Sequence, residues 1–369
     1  MLAGKRLWCI VVTLLLTAVP SVAGAAELST ASVSTDVASV APTGGQVVVT
    51  LTSTSADSCT LRVTPSLPGW PITVAPCDGA ITRNVSIPAD ADTMDRVYAF
   101  KAKVTTGATT AATNAALVTQ QHRIRVAAFG DSVMYQAVLV MSDILGRTTA
   151  AALNWTAFPG LVMCQITPFV KNVSASFHPD LVIIEFLGTN FAACSKQNPR
   201  RSPAWIAAYR AATIKAVNAA LDGNPNTKVE LVDAPTWGNN VSGSTDIAKV
   251  YQAVADLNPT RVSYINAGLS VEGLGGSYVG SLPCLAIELV QNLCTGRGVT
   301  TAVINGIPTK VIKVRSPDKV HLCLLLGRDG ILEPPGCSSY SSGAYRYSAA
   351  MLIPGLQAFG LSPLPDLHP

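Results

Sequence analysis

Charge and histidine are scarce in this sequence. Only 13% of its 369 residues are charged and 49% are hydrophobic, which excludes disorder as the general state. The net charge is +4, and it falls to +2 without the first 25 residues, which carry two basic residues and no acidic ones. A net charge this close to zero predicts no nucleic-acid partner and no strongly electrostatic membrane binding. With only four histidines, few positions can supply an imidazole.

Several motifs of other protein classes are missing. No CxxC pair and no HExxH helix occurs, so metal ligation by the cysteines has little support, and we expect no metal site. No GxSxG motif occurs either, because "GLSVEG" around Ser270 lacks the second glycine at the required place. This absence disfavours an α/β-hydrolase lipase.

The N-terminus has the pattern of a secretory signal peptide, predicted over residues 1–25. Lys5 and Arg6 precede an apolar run, Leu7–Val19, and Ala23–Ala25 provides small residues for cleavage. The alternative is a retained anchor, but the run is shorter than the roughly 20 apolar residues that span a bilayer. Later apolar stretches are short and interrupted by Gly, Pro or charge, so no transmembrane segment is expected after cleavage. The sequence predicts a secreted or extracytoplasmic protein.

Eight cysteines remain after the predicted cleavage, and an even number in an exported chain favours disulfides. Sequence alone does not determine which cysteines are joined. Nearest-neighbour pairing is the simplest hypothesis, and its first pair lies alone in its own region. The four pairs would be Cys59–Cys77, Cys164–Cys194, Cys284–Cys294 and Cys323–Cys337.

The length allows two domains, and the sequence pattern changes near residue 120. Residues 26–119 are rich in Thr, Ser, Val and Ala, with alternating stretches such as "GQVVVTLTST" and "RVYAFKAKVTT". This pattern predicts short antiparallel strands in a small all-β sandwich. It resembles the immunoglobulin-like modules of exported bacterial proteins, for which a spacer role or weak carbohydrate adhesion is the expectation.

Residues 120–369 alternate between strand and helix patterns. Strands are predicted at "RIRVAAFG", "PDLVIIEFLGTN", "KVELVDAP" and "RVSYINAG". The best-marked helix lies between the second and third, with Ser202 as its cap, Pro203 in its first turn and Gly223 at its end. These elements predict an α/β domain with a mostly parallel sheet covered by helices on both faces. Sites in such sheets form beyond the carboxyl ends of the strands.

Residues 268–316 do not fit a further strand–helix unit. Asn305-Gly306 lies between two β-rich runs, which predicts a hairpin with a two-residue type I′ turn. The segment directly precedes "RSPDKVHLC", so we expect it to form one wall of the site.

Three short motifs carry the residues suited to nucleophilic catalysis. "AFGDSV" places Ser132 after the first strand of the α/β domain, and "FLGTN" places Asn190 after a later one. "DKVH" places Asp318 three residues before His321, a spacing at which both side chains can point to one side. A carboxylate beside an imidazole fixes its tautomer and stabilises the imidazolium. Each motif alone is also compatible with an ordinary turn.

The three motifs in this order resemble the SGNH hydrolase superfamily, the GDSL-like esterases and lipases, over residues 123–360. The resemblance implies a flavodoxin-like three-layer α/β/α sandwich without a cofactor. It also implies Ser132 as nucleophile, His321 as general base and Asp318 as its orienting acid. The implied oxyanion donors are the N–H of Ser132, the N–H of Gly160 in "FPGLVMC", and the Asn190 side chain.

The sequence departs from the family pattern at two positions. Val133 stands at the fourth position of the first motif, and Phe191 replaces the Asp that usually follows the third-motif Asn. That Asp is normally structural, so the replacement bears on loop geometry more than on activity. "GDSVM" with "GTN" is similar to the extracellular catalytic domains of polysaccharide and peptidoglycan O-acetyltransferases.

The sequence therefore leads to a secreted serine ester hydrolase as the first hypothesis, acting on short acyl groups linked to carbohydrate through a seryl ester. O-acyl transfer to a sugar hydroxyl of a cell-wall or extracellular polysaccharide, with the same residues, is the second. A non-catalytic carbohydrate- or cell-wall-binding protein with a decayed site is the third, and it predicts that Ser132 and His321 lie far apart. Met134, Tyr135, Trp155 and Trp237 are candidates for the pocket lining, with core packing as the alternative for each.

Overall fold

The computed structural model describes most of the chain beyond the predicted signal peptide, which lies outside the described residues. The described residues are 30–90, 92, 94–146, 151–238, 241–323, 337 and 341–361. They divide into two compact units. The first comprises 30–35, 48–83 and 99–116, and the second comprises 36–47, 84–98 and the described residues from 117 onward.

Residues 30–120 form only strands in their described part, as alternating Thr and Val residues favour. In the first unit, β1 pairs antiparallel with β3, and β4 pairs antiparallel with β5 and β7. The disulfide Cys59–Cys77 joins β4 to β6. The immunoglobulin-like assignment and the boundary at residue 119 stay predictions. The strands are β1 Ala31–Thr35, β2 Ser39–Val40, β3 Gly45–Ala56, β4 Ser58–Thr64, β5 Ile72–Val74, β6 Cys77–Ile87, β7 Arg96–Thr106, β8 Thr109–Ala112 and β9 Ala116–Gln120.

The second unit contains a five-stranded parallel sheet with the order β11-β10-β12-β13-β14. This is the 2-1-3-4-5 order of doubly wound, flavodoxin-like sheets. All four predicted strands are confirmed. β10, β12 and β13 are largely buried between two helical layers, whereas β14 is a partly exposed edge strand. β11, the other edge strand, is also partly exposed and was missed. The strands are β10 Ile124–Gly130, β11 Ala151–Ala157, β12 Leu181–Phe186, β13 Lys228–Asp233 and β14 Val262–Ile265.

Helices cover both faces of this sheet, as predicted. α1 and α6 pack on one face, and α2, α3 and α4 pack on the other. Ser202 caps α3 by accepting a hydrogen bond from the N–H of Trp205 at 3.2 Å, which confirms the predicted start. No helix in the described ranges is both long and apolar enough to cross a membrane. The helices are α1 Ser132–Gly146, α2 Thr167–Phe177, α3 Pro203–Asp222, α4 Val241–Ala255, α5 Ala286–Val290 and α6 Ser342–Ala358.

The segment before α6 forms a small antiparallel sheet of three strands: β15 Ser281–Pro283, β16 Val299–Ile304 and β17 Ile307–Lys313. Ile304 pairs with Ile307 across the turn. Asn305 and Gly306 both have positive φ, 51° and 79°, so the predicted type I′ hairpin is confirmed. β17 leads directly into the segment that carries Asp318 and His321.

All four nearest-neighbour disulfides are present: Cys59–Cys77, Cys164–Cys194, Cys284–Cys294 and Cys323–Cys337. Disulfides persist in oxidising compartments, so these pairs are consistent with an extracytoplasmic protein.

Ion pairs anchor the chain where it enters β10. The two ring nitrogens of His122 lie 2.7 Å from Asp95 and 2.9 Å from Asp180. Arg125 binds both carboxylate oxygens of Asp180. Burial acts to raise the pKa of Asp180, but the hydrogen bonds from Arg125 and His122 outweigh it and lower the pKa. These contacts therefore fix the position of the first residues of β10, the strand that leads to Ser132.

Candidate active site

Ser132 begins α1 directly after β10, at a turn that only glycine permits. A Cβ at Gly130 would collide with the side chain of Met134 and lie 2.5 Å from the carbonyl oxygen of Glu185. Glycine therefore lets α1 start close against β12. Ser132 lies where the strand order reverses, between the carboxyl ends of β10 and β12, which is where doubly wound sheets bind ligands.

Asp131 links the nucleophile turn to the neighbouring strand. Its buried carboxylate accepts hydrogen bonds from the N–H of Val133 at 3.1 Å and from the N–H of Leu187 at 2.8 Å. Burial raises the pKa of Asp131 to about 6, although both hydrogen bonds and the nearby His321 act to lower it. Sequence reasoning missed this role. The available signal was an Asp immediately before a helix, a common capping position.

Asp318 and His321 share one turn, as their spacing predicts. Asp318 Oδ2 lies 2.5 Å from His321 Nδ1. Its other oxygen accepts hydrogen bonds from the N–H groups of Val320 and His321 at 2.9 and 3.0 Å. Partial burial acts to raise the pKa of Asp318, but these hydrogen bonds outweigh it and leave the pKa below its usual value. An ionised Asp318 can therefore fix the tautomer of His321.

The structure brings this pair to Ser132, 189 residues earlier in the chain. His321 Nε2 lies 2.8 Å from Ser132 Oγ, within hydrogen-bond distance. The side chains of His321 and Asp318 are 32% and 46% exposed, so molecules in solution can reach the site. The three residues predicted as the catalytic triad thus form a continuous chain of contacts.

Two further residues, which sequence reasoning missed, hold the turn of Asp318 and His321, the proposed acid–base turn, in place. Gln136 of α1 accepts a hydrogen bond from the N–H of Leu322 at 2.9 Å, which joins the nucleophile helix to the turn. The buried Arg315 donates to the carbonyl oxygens of Val320 and Thr236, at 2.5 and 3.1 Å. No motif marked either residue, because their role depends on contacts between distant parts of the chain.

The predicted oxyanion residues follow the two strands that flank β10. Asn190 lies in the loop after β12, and Gly160 lies in an exposed turn after β11 with φ of +84°. The Asn190 Oδ1 and Thr189 Oγ1 atoms are buried without a hydrogen-bond partner in the described residues. Both loops leave the carboxyl ends of their strands, on the same side of the sheet as Ser132. Their role as oxyanion donors stays a prediction.

The four candidates for the pocket lining differ in their surroundings. Met134 is fully buried and belongs to the core. Tyr135 and Trp155 pack edge to face, 6.0 Å between ring centroids, and Trp155 is partly exposed. Arg200 lies over the ring of Trp237 at 5.3 Å. Tyr135 lies one helical turn after Ser132 in α1 and packs against the partly exposed Trp155 of β11.

One group in the described part of the chain has the spacing of a metal site: Cys284, Glu288 and Cys294. The two cysteines are joined in a disulfide, and Glu288 forms a buried ion pair with Arg346 at 2.6 Å. These ligand atoms are therefore already engaged, and the group does not fit a metal ion.

Comparison with protein-family models and with curated proteins finds no match. Several solved structures are similar to this chain at low sequence identity, among them the following three. A GDSL-like lipase from Bacteroides thetaiotaomicron VPI-5482 is 13% identical, with a TM-score of 0.38, over 64% of this chain and 89% of that chain. A carbohydrate esterase family 2 enzyme with a carbohydrate-binding domain from Corynascus thermopiles (Myceliophthora fergusii) is 15% identical, with a TM-score of 0.29, over 63% and 89%. A psychrotrophic esterase from Pseudoalteromonas sp. is 11% identical, with a TM-score of 0.30, over 40% and 80%. Such low values assign neither a family nor an activity to this chain.

Proposed function

We propose that this protein is a serine ester hydrolase of the SGNH type. One observation carries the proposal: His321 Nε2 lies 2.8 Å from Ser132 Oγ while its Nδ1 lies 2.5 Å from Asp318. A serine hydroxyl becomes a useful nucleophile when an oriented base can take its proton, and this arrangement provides that base. A decayed site would predict separated residues, so the short Ser132–His321 distance disfavours the non-catalytic hypothesis.

The proposed reaction uses this triad together with the predicted oxyanion donors. His321 Nε2 takes the Ser132 Oγ proton as Oγ attacks the carbonyl carbon of the ester. The tetrahedral oxyanion is held by the N–H groups of Ser132 and Gly160 and by the Asn190 side chain. His321 then gives the proton to the departing alcohol, leaving a seryl ester. Water attacks this ester with His321 again as base, and the carboxylic acid is released as Ser132 recovers its proton.

Short acyl groups on carbohydrate are the proposed substrates. Aromatic side chains lie on elements that adjoin the proposed donor loops: the Tyr135–Trp155 pair on α1 and β11, and the partly exposed Phe158 and Phe169, whose rings lie 6.0 Å apart. Aromatic faces pack well against the C–H groups of sugar rings. The predicted signal peptide and the four disulfides support an extracytoplasmic location for this activity.

Hydrolysis of p-nitrophenyl acetate and butyrate by residues 26–369 tests the proposal, with Ser132→Ala as the matched control. We expect turnover that is lost in the variant, with acetate favoured over butyrate. Acetate release from an acetylated polysaccharide, abolished by the same substitution, would support the carbohydrate substrate. Equal background rates in both proteins would reject the hydrolase proposal.

A further inference from the structure

The disulfide Cys164–Cys194 joins the two loops that carry the proposed oxyanion residues. Cys164 lies four residues after Gly160, and Cys194 lies four residues after Asn190. The strands that precede these loops, β11 and β12, are not neighbours, because β10 lies between them. No strand pairing therefore connects the two loops, and the disulfide connects them covalently across the end of β10.

The Asn190 loop is held by individual contacts rather than by regular secondary structure. Residues 187–202, all of them described, contain no helix or strand. The loop is held by short turns within residues 192–196 and by a hydrogen bond from Arg200 Nε to the carbonyl oxygen of Gly188 at 2.9 Å. At Gly188, φ is +66° and a Cβ would lie 2.8 Å from the side chain of Ile247. The first residues of the loop are thus fixed, and Cys194 adds a covalent link to the Gly160 loop in the segment after Asn190.

A small cavity lies beside this loop. Its volume is about 30 Å³, and it is lined by both loops and by α3. Cys164 and Cys194 form part of its wall. Thr189, next to Asn190, also lines it, and the Thr189 hydroxyl is buried with no hydrogen-bond partner in the described residues. A loop beside unfilled space can relax into it, because fewer packing contacts oppose the shift.

We infer that the Cys164–Cys194 disulfide is a positioning element of the oxyanion hole, holding Asn190 where the charge develops. This inference rests on the proposed hydrolase activity. Oxyanion stabilisation requires donors placed before the reaction, and one donor contributes about 10²–10³-fold in kcat. A displaced rather than deleted donor loses part of that factor. In this proposal the Cys164–Cys194 disulfide acts only through the position of Asn190.

The test compares two disulfide deletions. Cys164→Ala/Cys194→Ala removes the tether between the loops, and Cys59→Ala/Cys77→Ala removes a disulfide of the first unit. We expect the first variant to lose roughly 10-fold in kcat for p-nitrophenyl acetate. KM should stay within about twofold, as expected for an interaction made only in the transition state. The control should keep the wild-type kcat. Equal kcat in wild type and the loop variant, with wild type active, would overturn the inference alone.

A double-mutant cycle separates positioning from a general structural effect. Asn190→Ala is measured in wild type and in the Cys164→Ala/Cys194→Ala background. If the disulfide acts through Asn190, the substitution costs several-fold less in the second background, because the donor is already misplaced. Equal costs in both backgrounds would overturn the inference.

A second variant covers the case in which the double alanine variant does not fold. Cys164→Ala/Cys194→Val refills most of the space of the bond but leaves the loops unjoined, and the same loss in kcat is expected. If both variants unfold while the Cys59→Ala/Cys77→Ala control stays folded, the bond serves stability, and the inference is wrong. If the wild-type protein has no turnover above Ser132→Ala, the proposed function fails and the inference fails with it.

Discussion

Asp131 shows how one buried side chain can hold the proposed nucleophile, Ser132, in position. Its two oxygens accept the N–H groups of Val133, in the first turn of α1, and of Leu187, directly after β12. The same carboxylate therefore holds both the turn before Ser132 and the start of the Asn190 loop. An amide at this position could accept only one of the two hydrogen bonds and would direct its NH₂ group at the other N–H.

Asp131→Asn should therefore weaken both stability and activity. Leaving one buried donor unsatisfied costs about 1–3 kcal/mol, which urea denaturation would measure. We expect kcat to fall by roughly 10-fold, because Ser132 and the Asn190 loop lose their common anchor. Asp222→Asn, at the exposed end of α3, is the control and should change neither quantity measurably. Wild-type stability in Asp131→Asn would contradict this account.

Asn190→Ala tests the proposed donor directly. Removing one preorganised donor should lower kcat about 10²–10³-fold and leave KM nearly unchanged, measured with p-nitrophenyl acetate. Asn190→Asp keeps the shape but replaces the amide donor with an acceptor, so it should lose at least as much. Retention of the wild-type kcat by both variants would remove Asn190 from the mechanism.

At the scale of elements, α6 packs closely against the segment that carries the acid–base turn. A Cβ at Gly343 would collide with the carbonyl oxygen of Val314 and lie 3.1 Å from the backbone nitrogen of Cys323. Val314 and Cys323 flank Asp318 and His321 on either side and are hydrogen-bonded to each other at 3.0 Å. The first turn of α6 therefore limits how far the segment with Asp318 and His321 can move away from Ser132.

Gly343→Ala should move the base away from the nucleophile. The added methyl group meets backbone atoms, which cannot rotate aside as a side chain can, so we expect a loss of about 1–3 kcal/mol in stability. A reduced kcat should accompany this loss. Thermal unfolding and kcat measure both effects. Gly146→Ala is the matched control, since a Cβ there meets no atom within 4 Å.

The layer between the sheet and α6 also contains a buried acid with an unusual charge state. Glu230 on β13 is 3% exposed, and its Oε2 has no hydrogen-bond partner in the described residues. Burial raises the pKa of Glu230 to about 8, so the folded protein keeps this carboxyl protonated where the unfolded chain ionises it. Because the folded state then binds more protons, this group lowers the free energy of unfolding as pH rises from about 4.5 to 8.

Glu230→Gln should remove that pH dependence. Near pH 5 the variant and the wild type should have similar stabilities, whereas at pH 8 the variant should be more stable. The expected difference is roughly 2–4 kcal/mol, because each tenfold change in proton affinity between the folded and unfolded states corresponds to about 1.4 kcal/mol. Urea denaturation at the two pH values measures it. An equal difference at both pH values would show that Glu230 does not titrate differently in the folded and unfolded states.

Local sequence patterns predicted the elements and residues whose identity depends on their neighbours in the chain. The central strands β10, β12 and β13 are largely buried, and Ser132, Asp318 and His321 lie in recognisable short motifs. Both edge strands are partly exposed; the sequence predicted β14 and missed β11. Gln136, Arg315 and the double contact of Asp131 were missed because each depends on residues brought together only by folding.

At the scale of the whole molecule, the proposed nucleophile, base and acid all belong to the second unit. They lie in hydrogen-bond contact, and the Cys284, Glu288 and Cys294 group is already engaged by a disulfide and an ion pair. Incubation with EDTA followed by desalting should therefore leave the rate of p-nitrophenyl acetate hydrolysis unchanged. A loss of activity that Zn²⁺ or Mg²⁺ restores would show that the mechanism is incomplete.

Asp318 and His321 belong to a single turn, and this has a consequence for how activity returns after denaturation. Their mutual contact closes a loop of only three residues, whereas the contact between His321 and Ser132 joins positions 189 residues apart. Contacts between distant residues form late in folding, because they require most of the chain to be ordered first. Ester hydrolysis during refolding should therefore lag behind the recovery of helical circular dichroism. The return of hydrolytic activity would then report when the C-terminal segment packs against the sheet.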